Sequence, residues 1–233
     1  MRKTPFIWLG ADRARKWPVG EKARLLDKAA HAGLPVPPGA ILLDELYQLL
    51  LEEEVILADA GFVRIPDPDW LFETFYEGVR FPRLERRMLP RRAFSLDSAA
   101  FSAPAPLSLV DLLNPDELTQ MFQSVWSLPD APANLRRDML LMEEIGAEVW
   151  GTAVTTPDSP DQTSYQRPGT PATDLTLPQL GRFGRVTPGL PPFAQRLQKL
   201  LRGSRRTFGP ATPWQIEWRD DGHICWVIQV NAL

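Results

Sequence analysis

VGEKARLLDKAAHAGLPVPPGAILLDELYQLLL, residues 19–51, joins a Gly-x-Lys turn, an amphipathic helix, a proline-stiffened extended segment and a second helix. Leu25, Leu26, Ala29 and Ala30 recur at helical spacing after Gly20-Glu21-Lys22, so this part reads as a helix with one apolar face. The N–H groups and dipole at a helix start favour anions, which marks Lys22 in the first turn as a candidate phosphate ligand. Gly33 predicts the helix stop, and Pro35, Pro37 and Pro38 hold the backbone extended. Residues 40–43 then read as a short buried strand, with Asp44 expected to cap the next helix.

Composition bounds the class. With 233 residues, 44% of them hydrophobic, the chain can bury a sizeable core as one large domain or two small lobes. A formal net charge of −3 and an isoelectric point near 5.5 give no global basic field for nucleic acid or an anionic membrane. The single Cys225 excludes an internal disulfide framework and a cysteine-based zinc cluster. MRKTPFIWLGADRARK, residues 1–16, returns to charge too soon for a signal peptide, and no run has the apolar length of a membrane span. A cytoplasmic location is expected.

Further along, residues 61–81 carry Phe62, Trp70, Leu71, Phe72, Phe75 and Tyr76 and predict a short helix that packs aromatics into the first lobe. Six arginines follow, Arg80, Arg83, Arg86, Arg87, Arg91 and Arg92, with Glu85 the lone acid among them. They read either as an acid-paired surface or as an anion or partner patch. Asn114, Pro115, Asp116 and Glu117 form a helix start, and Leu118, Met121, Phe122 and Val125 make its apolar stripe. Residues 157–192, rich in Pro, Thr, Ser, Gly and Gln, predict a flexible excursion with little secondary structure. Residues 193–201 predict a short amphipathic helix with Leu197, Leu200 and Leu201 inward and Arg202, Arg205 and Arg206 at its C-terminal end.

At the C-terminus, Trp214-Gln215-Ile216-Glu217-Trp218 and Cys225-Trp226-Val227-Ile228-Gln229-Val230-Asn231 flank Asp220-Asp221-Gly222 and read as a β-hairpin. A three-residue loop, with Arg219 opposite His223, puts Glu217 and Gln229 on one face; a two-residue Asp221-Gly222 turn puts them on opposite faces. A carboxylate and an amide oxygen on one face suit a hard ion such as Mg2+ shared with phosphates.

Residues 19–51 and 214–230 resemble the nucleotide-binding domain of phosphoenolpyruvate synthase, pyruvate phosphate dikinase and rifampin phosphotransferase. That family carries V-G-G-K, G-L-P-V-P-P-G and a closing D-I-E-W hairpin with L-Q-A-R. The resemblance implies an α+β, ATP-grasp-like fold of two lobes, about 1–135 and 136–233, with mixed or antiparallel sheets flanked by helices and a C-terminal β-hairpin. It implies Mg-ATP as the ligand, with Glu217 and Gln229 at the metal and Lys22 and Arg92 at the phosphates. An adenine slot would run through Met142, Glu143, Glu144 and Ile145, where residues 139–155 parallel V-V-Q-R-M-V-D-A-E-V-S-G-V-A-F-T, although Met142 also suits a core. Arg91-Arg92-Ala93-Phe94-Ser95-Leu96-Asp97 sits where the family has A-V-R-S-S-A-T-A-E-D, and Ala100-Phe101-Ser102-Ala103-Pro104 resembles its covering loop without the glycine. Glu21 replaces the second glycine of V-G-G-K, and Asn231 replaces an arginine that serves the terminal phosphate. Neither His31 nor His223 has the context of a phosphate-carrying histidine.

These departures predict a shortened, degenerate, stand-alone nucleotide-binding domain with weak or no phosphotransferase activity. One alternative is an active ATP-dependent phosphotransferase subunit that needs a separate histidine-carrier partner. Another is a non-enzymatic interaction scaffold, or a nucleic-acid binder through Arg80 to Arg92, which the acidic total disfavours.

Overall fold

The computed structural model describes residues 5–94, 109–129, 132 and 135–233. The described chain divides into two compact units, one of residues 5–9, 13–23 and the described part of 38–144, the other of residues 10–12, 24–37 and 145–233. The boundary near residue 135 expected from the sequence thus falls at Glu144 and Ile145, and residues 24–37 group with the C-terminal part.

The first unit is built on a four-stranded antiparallel sheet, in the order β1 (Phe6–Trp8), β2 (Gly39–Leu42), β6 (Met139–Glu143) and β5 (Met88–Arg92). Pro90 lies on the edge strand β5 opposite Leu141, a position where a residue without an N–H is tolerated. Helices α2 (Asp44–Glu52), α3 (Pro68–Glu73) and α4 (Pro115–Trp126) share a core with this sheet, in which Leu46, Leu50, Phe75, Phe122 and Trp126 are buried beside Met139 and Leu141. A small hairpin of β3 (Leu57–Asp59) and β4 (Phe62–Arg64) precedes α3. The aromatic segment packs as expected at Leu71, Phe75 and Tyr76, whereas Phe62 and Trp70 are exposed. Asn114 caps α4, accepting from the N–H groups of Asp116 and Glu117 at 3.0 and 3.2 Å.

Asp44 does not cap α2. It is the first helical residue, and its own N–H donates to the buried Asp138 carboxylate at 2.9 Å, while its carboxylate accepts from the Arg137 N–H at 2.7 Å. The cap therefore comes from the residue just ahead of β6, a partner 94 residues away that local sequence does not reveal. Arg136 completes the cluster by bridging Glu45 at 2.9 Å and Asp138 at 3.1 Å.

The second unit is a five-stranded antiparallel sheet, in the order β11 (Cys225–Ala232), β10 (Trp214–Asp220), β7 (Val149–Thr155), β8 (Asp161–Gln166) and β9 (Thr173–Leu177). Strands β8 and β9 occupy the stretch read from sequence as a flexible excursion, which corrects that expectation. Helix α5 (Pro192–Phe208) is longer than the predicted 193–201, so Arg202, Arg205 and Arg206 lie within it. Its apolar side, Phe193, Leu197, Leu200 and Leu201, is buried. Two arginines anchor it: Arg196 grips Asp220 at 2.7 and 2.6 Å, and Arg205 reaches both Asp161 oxygens and the Thr155 hydroxyl at 2.8 Å. The C-terminal part of helix α1 (Glu21–His31) belongs to this unit and ends as predicted at Gly33, whose φ of +81° suits glycine. The Gly33 and Leu34 N–H groups close the end onto the carbonyls of Ala30 and Ala29. No helix among the described residues is long and apolar enough to cross a membrane.

Burial pushes the Asp138 carboxyl from its ordinary 3.8 up to about 6, against the opposing pull of the Asp44 N–H and Arg136. The folded state therefore holds this proton more tightly than the unfolded chain, so the contribution to stability is complete below pH 3.8 and is lost as pH rises through 6. The stability of the native chain relative to Asp138→Asn should fall by up to about 3 kcal/mol between pH 4 and 6 and stay level above, as read by urea unfolding at a series of pH values. A difference independent of pH would refute the shift.

Candidate functional site

In the second unit, the burial of β10 alternates: Trp214, Ile216, Trp218 and Asp220 are buried on the α5 side, and Gln215, Glu217 and Arg219 lie on the other. The hairpin turn is longer than either loop considered from sequence. Asp220 pairs with Cys225, so four residues, 221–224, make the turn. The Asp221 carboxylate organises it, accepting from the N–H groups of His223 and Ile224 at 2.8 and 2.7 Å and from the Trp226 indole at 2.8 Å. Such a loop alone would align Glu217 with Ile228 and send Gln229 to the opposite face. A β-bulge between the Glu217 and Trp218 pairings restores the register, and Glu217 pairs directly with Gln229.

Register extends this pair into a polar row. Glu217 faces Thr152 on β7, Thr152 faces Ser164 on β8, and Ser164 faces Asp174 on β9. Residues directly opposite in antiparallel strands share a face, so Gln229, Glu217, Thr152, Ser164 and Asp174 line one side of the sheet over roughly 19 Å. The last three were not singled out from sequence, although alternation along β7 and β8 carried the signal. Beside the row, the Gln229 Nε2 donates to Asn231 Oδ1 at 3.0 Å, and Asn231 Nδ2 donates to Gln215 Oε1 at 3.2 Å. This relay sets the orientation of the Gln229 amide, with Nε2 toward Asn231 and Oε1 on the other side.

In the first unit, Lys22 is the second residue of α1 and half-buried. Gly20 ahead of it has a structural duty: a Cβ there would lie 2.3 Å from the Phe94 carbonyl oxygen. Arg92 is not positioned for a phosphate. Its guanidinium donates to the carbonyls of Val125, Ser124 and Ser127 at 3.0, 3.0 and 3.1 Å, closing the C-terminal end of α4. Those orphan carbonyls and the negative end of the helix dipole are a ready partner for a cation.

Met142 is 2% exposed inside β6, between Gly39 and Leu89, and serves the core. The N–H groups of Glu143 and Glu144 are spent on the carbonyls of Pro38 and Arg87 at 2.8 and 3.2 Å, which removes both as donors to a base. Pro38 has no N–H to return, so the strand pairing offers Glu143 no reciprocal donor for its carbonyl oxygen. Ile145, the first residue of the second unit after this run, is half-buried.

The arginine run does not gather into one anion patch. Arg86 pairs with Glu143 at 2.6 Å and Arg87 with Glu117 at 3.2 Å, while Arg83 lies over the rings of Phe72 and Tyr76 at 5.8 and 5.3 Å. Arg80 takes a left-handed φ of +60°, and Arg91 sits half-buried in β5. Ser95-Leu96-Asp97 and the proposed covering loop Phe101-Ser102-Ala103-Pro104 lie outside the described residues.

No protein-family model matches the chain, and no curated protein matches it. Among solved structures it is similar to D-alanine–D-alanine ligase from Bacillus anthracis complexed with ATP, at 13% identity and a TM-score of 0.49, covering 91% of this chain and 54% of that one. It is similar to carboxyaminoimidazole ribonucleotide synthase from Aspergillus clavatus complexed with ATP, at 12% identity and a TM-score of 0.44, covering 92% and 44%. The ATP-grasp ligase PsnB complexed with minimal precursor aligns at 11% identity and a TM-score of 0.40, covering 90% and 51%. The chain thus spans about half the length of these structures.

If Arg92 closes α4, Arg92→Ala should leave three carbonyls without their donor and cost about 1–3 kcal/mol in thermal or urea unfolding, with Arg92→Lys intermediate. Unchanged stability would show that the contact contributes nothing.

Proposed function

We propose that the chain is an ATP-grasp-like adenine-nucleotide-binding protein in which Glu217 and Gln229 hold Mg2+ through one carboxylate and one amide oxygen. The observation that carries this reading is their direct pairing on the polar face of the β10–β11 hairpin, kept by a bulge whose loss would separate them. The donor set fits: both are hard oxygen ligands, and Mg2+ commonly takes one or two protein groups and completes its octahedron with water and phosphate oxygens. Among the described residues no group of three or more His, Cys, Asp or Glu could hold a metal by itself, so the nucleotide phosphates would be part of the shell. When bound, the ion neutralises phosphate charge.

The Glu143 carbonyl is the acceptor best suited to the adenine amino group, because its Pro38 neighbour offers no competing donor. Lys22, in the first turn of α1, has the charge to neutralise phosphate. The motifs at residues 19–51 and 214–230 further support a relation to the phosphoenolpyruvate synthase and pyruvate phosphate dikinase type, with weak or no turnover. Asn231 is engaged in the amide relay and is neutral, so it cannot give a terminal phosphate the charge-assisted bidentate contact of an arginine. Phosphoryl transfer would then depend on an acceptor supplied by a partner protein with a histidine-carrier domain.

Isothermal titration of the full chain with ATP and Mg2+ tests this. The native protein should bind, with Glu217→Ala and Gln229→Ala each weakening binding roughly tenfold or more and Lys22→Ala weakening it similarly. Arg92→Ala should leave affinity unchanged. Equal heats for the native and Glu217→Ala proteins, or no binding by the native chain, would overturn the reading.

A further inference from the structure

Between Asp174 and Glu217 the chain has no acidic residue, yet it carries Arg182, Arg185, Arg196, Lys199, Arg202, Arg205 and Arg206. Two of these are spent inside the second unit, Arg196 on Asp220 and Arg205 on Asp161. The other five are at the surface: Arg182, Arg185, Lys199 and Arg206 are exposed and Arg202 is half-buried. Lys199, Arg202 and Arg206 recur at intervals of three and four along α5 and so lie on one stripe of the helix. Arg202 donates to the Gly184 carbonyl at 3.0 Å, which ties that stripe to a tight turn closed by a hydrogen bond from the Gly184 N–H to the Gly181 carbonyl at 3.0 Å. Arg182 and Phe183 form the tip of the turn.

Phe183 is 88% exposed, and the Arg182 guanidinium lies 5.3 Å from the centre of its ring. An exposed ring costs hydrophobic free energy and contributes nothing to the core, and here Arg182 lies against it in a segment, 175–216, that has no acidic residue. We propose that the 181–185 turn and the outer stripe of α5 bind single-stranded nucleic acid, with Phe183 stacking on a base and the five cations following the phosphates. Four of the five are arginines, whose planar forks match phosphate oxygens in pairs, and an aromatic ring flanked by guanidinium groups is a sequence-tolerant platform for a base. An anionic membrane would share the cations but would call for a broader apolar edge than one ring. The overall charge of −3 gives no global basic field and counts against such binding at long range, but screening confines the field at this patch to about 8 Å, where its own cations dominate.

The test is fluorescence anisotropy of a labelled 20-nucleotide oligo(dT), and of oligo(rU), titrated with the full chain from 50 to 200 mM KCl. Binding is expected, with log affinity falling against log salt at a slope of about −3.5 if five phosphates are contacted. Arg182→Glu combined with Arg185→Glu should lower affinity more than tenfold and flatten the slope, while Phe183→Ala should lower it roughly five- to tenfold and leave the slope unchanged. No binding at 50 mM KCl, or binding indifferent to these substitutions, would overturn the proposal. Loss of binding to phosphatidylserine vesicles in the charge variant, without native binding to either oligonucleotide, would overturn it in favour of a membrane surface.

Discussion

Two buried ion pairs decide what the C-terminal sheet can present. Asp161 and Asp220 have side chains only 1% exposed, and an ionised carboxylate so buried is tolerated when a matched cation meets it. Arg205 and Arg196 meet them from α5, nine residues apart and so from opposite flanks of the helix. The helix is thereby fixed over one face of the sheet, in register as well as in place. Because strand side chains alternate, covering that face with Trp214, Ile216 and Trp218 commits Gln215, Glu217 and Arg219 to the other. Removing either arginine would leave a buried carboxylate unpaired as well as loosening a contact, and the choice of faces would lose its anchor.

The same parity makes the hairpin sensitive to a single residue. Its four-residue turn is held by one side chain, Asp221, which collects the turn N–H groups of His223 and Ile224 together with the Trp226 indole. The turn alone would have separated Glu217 from Gln229, and the bulge reunites them. A β-bulge costs a ladder hydrogen bond, and this one falls at the Glu217–Gln229 pair that we propose holds Mg2+. The first unit offers a parallel in Pro38. A residue that cannot donate gives the carbonyl of Glu143 no return bond across the pair, where any other residue would have closed the ladder.

Much of this was legible before the coordinates. The Gly33 stop and the Asn114 cap rest on local rules, and local rules carried them, whereas the α+β architecture came with the family resemblance and the shared face of Glu217 and Gln229 depends on a bulge that neither loop considered from sequence contains. Strands β8 and β9 were missed for a physical reason: the buried positions of β8 are Asp161 and Thr163, polar residues admitted because Arg205 and the Trp218 indole satisfy them. Their alternation has the right period in the wrong chemistry, so hydropathy reads a loop. Asp44 and Arg92 were misassigned because their partners, Asp138 and the end of α4, lie 94 and 32–35 residues away. The reach of a long polar side chain cannot be seen from its neighbours in sequence.

The arginines make the general point most sharply, because density along the chain is a poor guide to their use. The run from Arg80 to Arg92 has one acid within it and looks open, yet Glu117 and Glu143 arrive from α4 and β6, helix carbonyls claim Arg92, and aromatic rings take Arg83. The run from Arg182 to Arg206 is sparser but holds no acid at all, and the sheet beneath it claims two members through Asp161 and Asp220. The remaining cations lie on the outer side of α5 and on a turn beyond it, away from the face that carries those acids. What distinguishes the two runs is the supply of acceptors on the surface each one meets. An arginine with an internal acceptor is part of the fold, whereas one that projects beside an exposed phenylalanine has its chemistry directed outward.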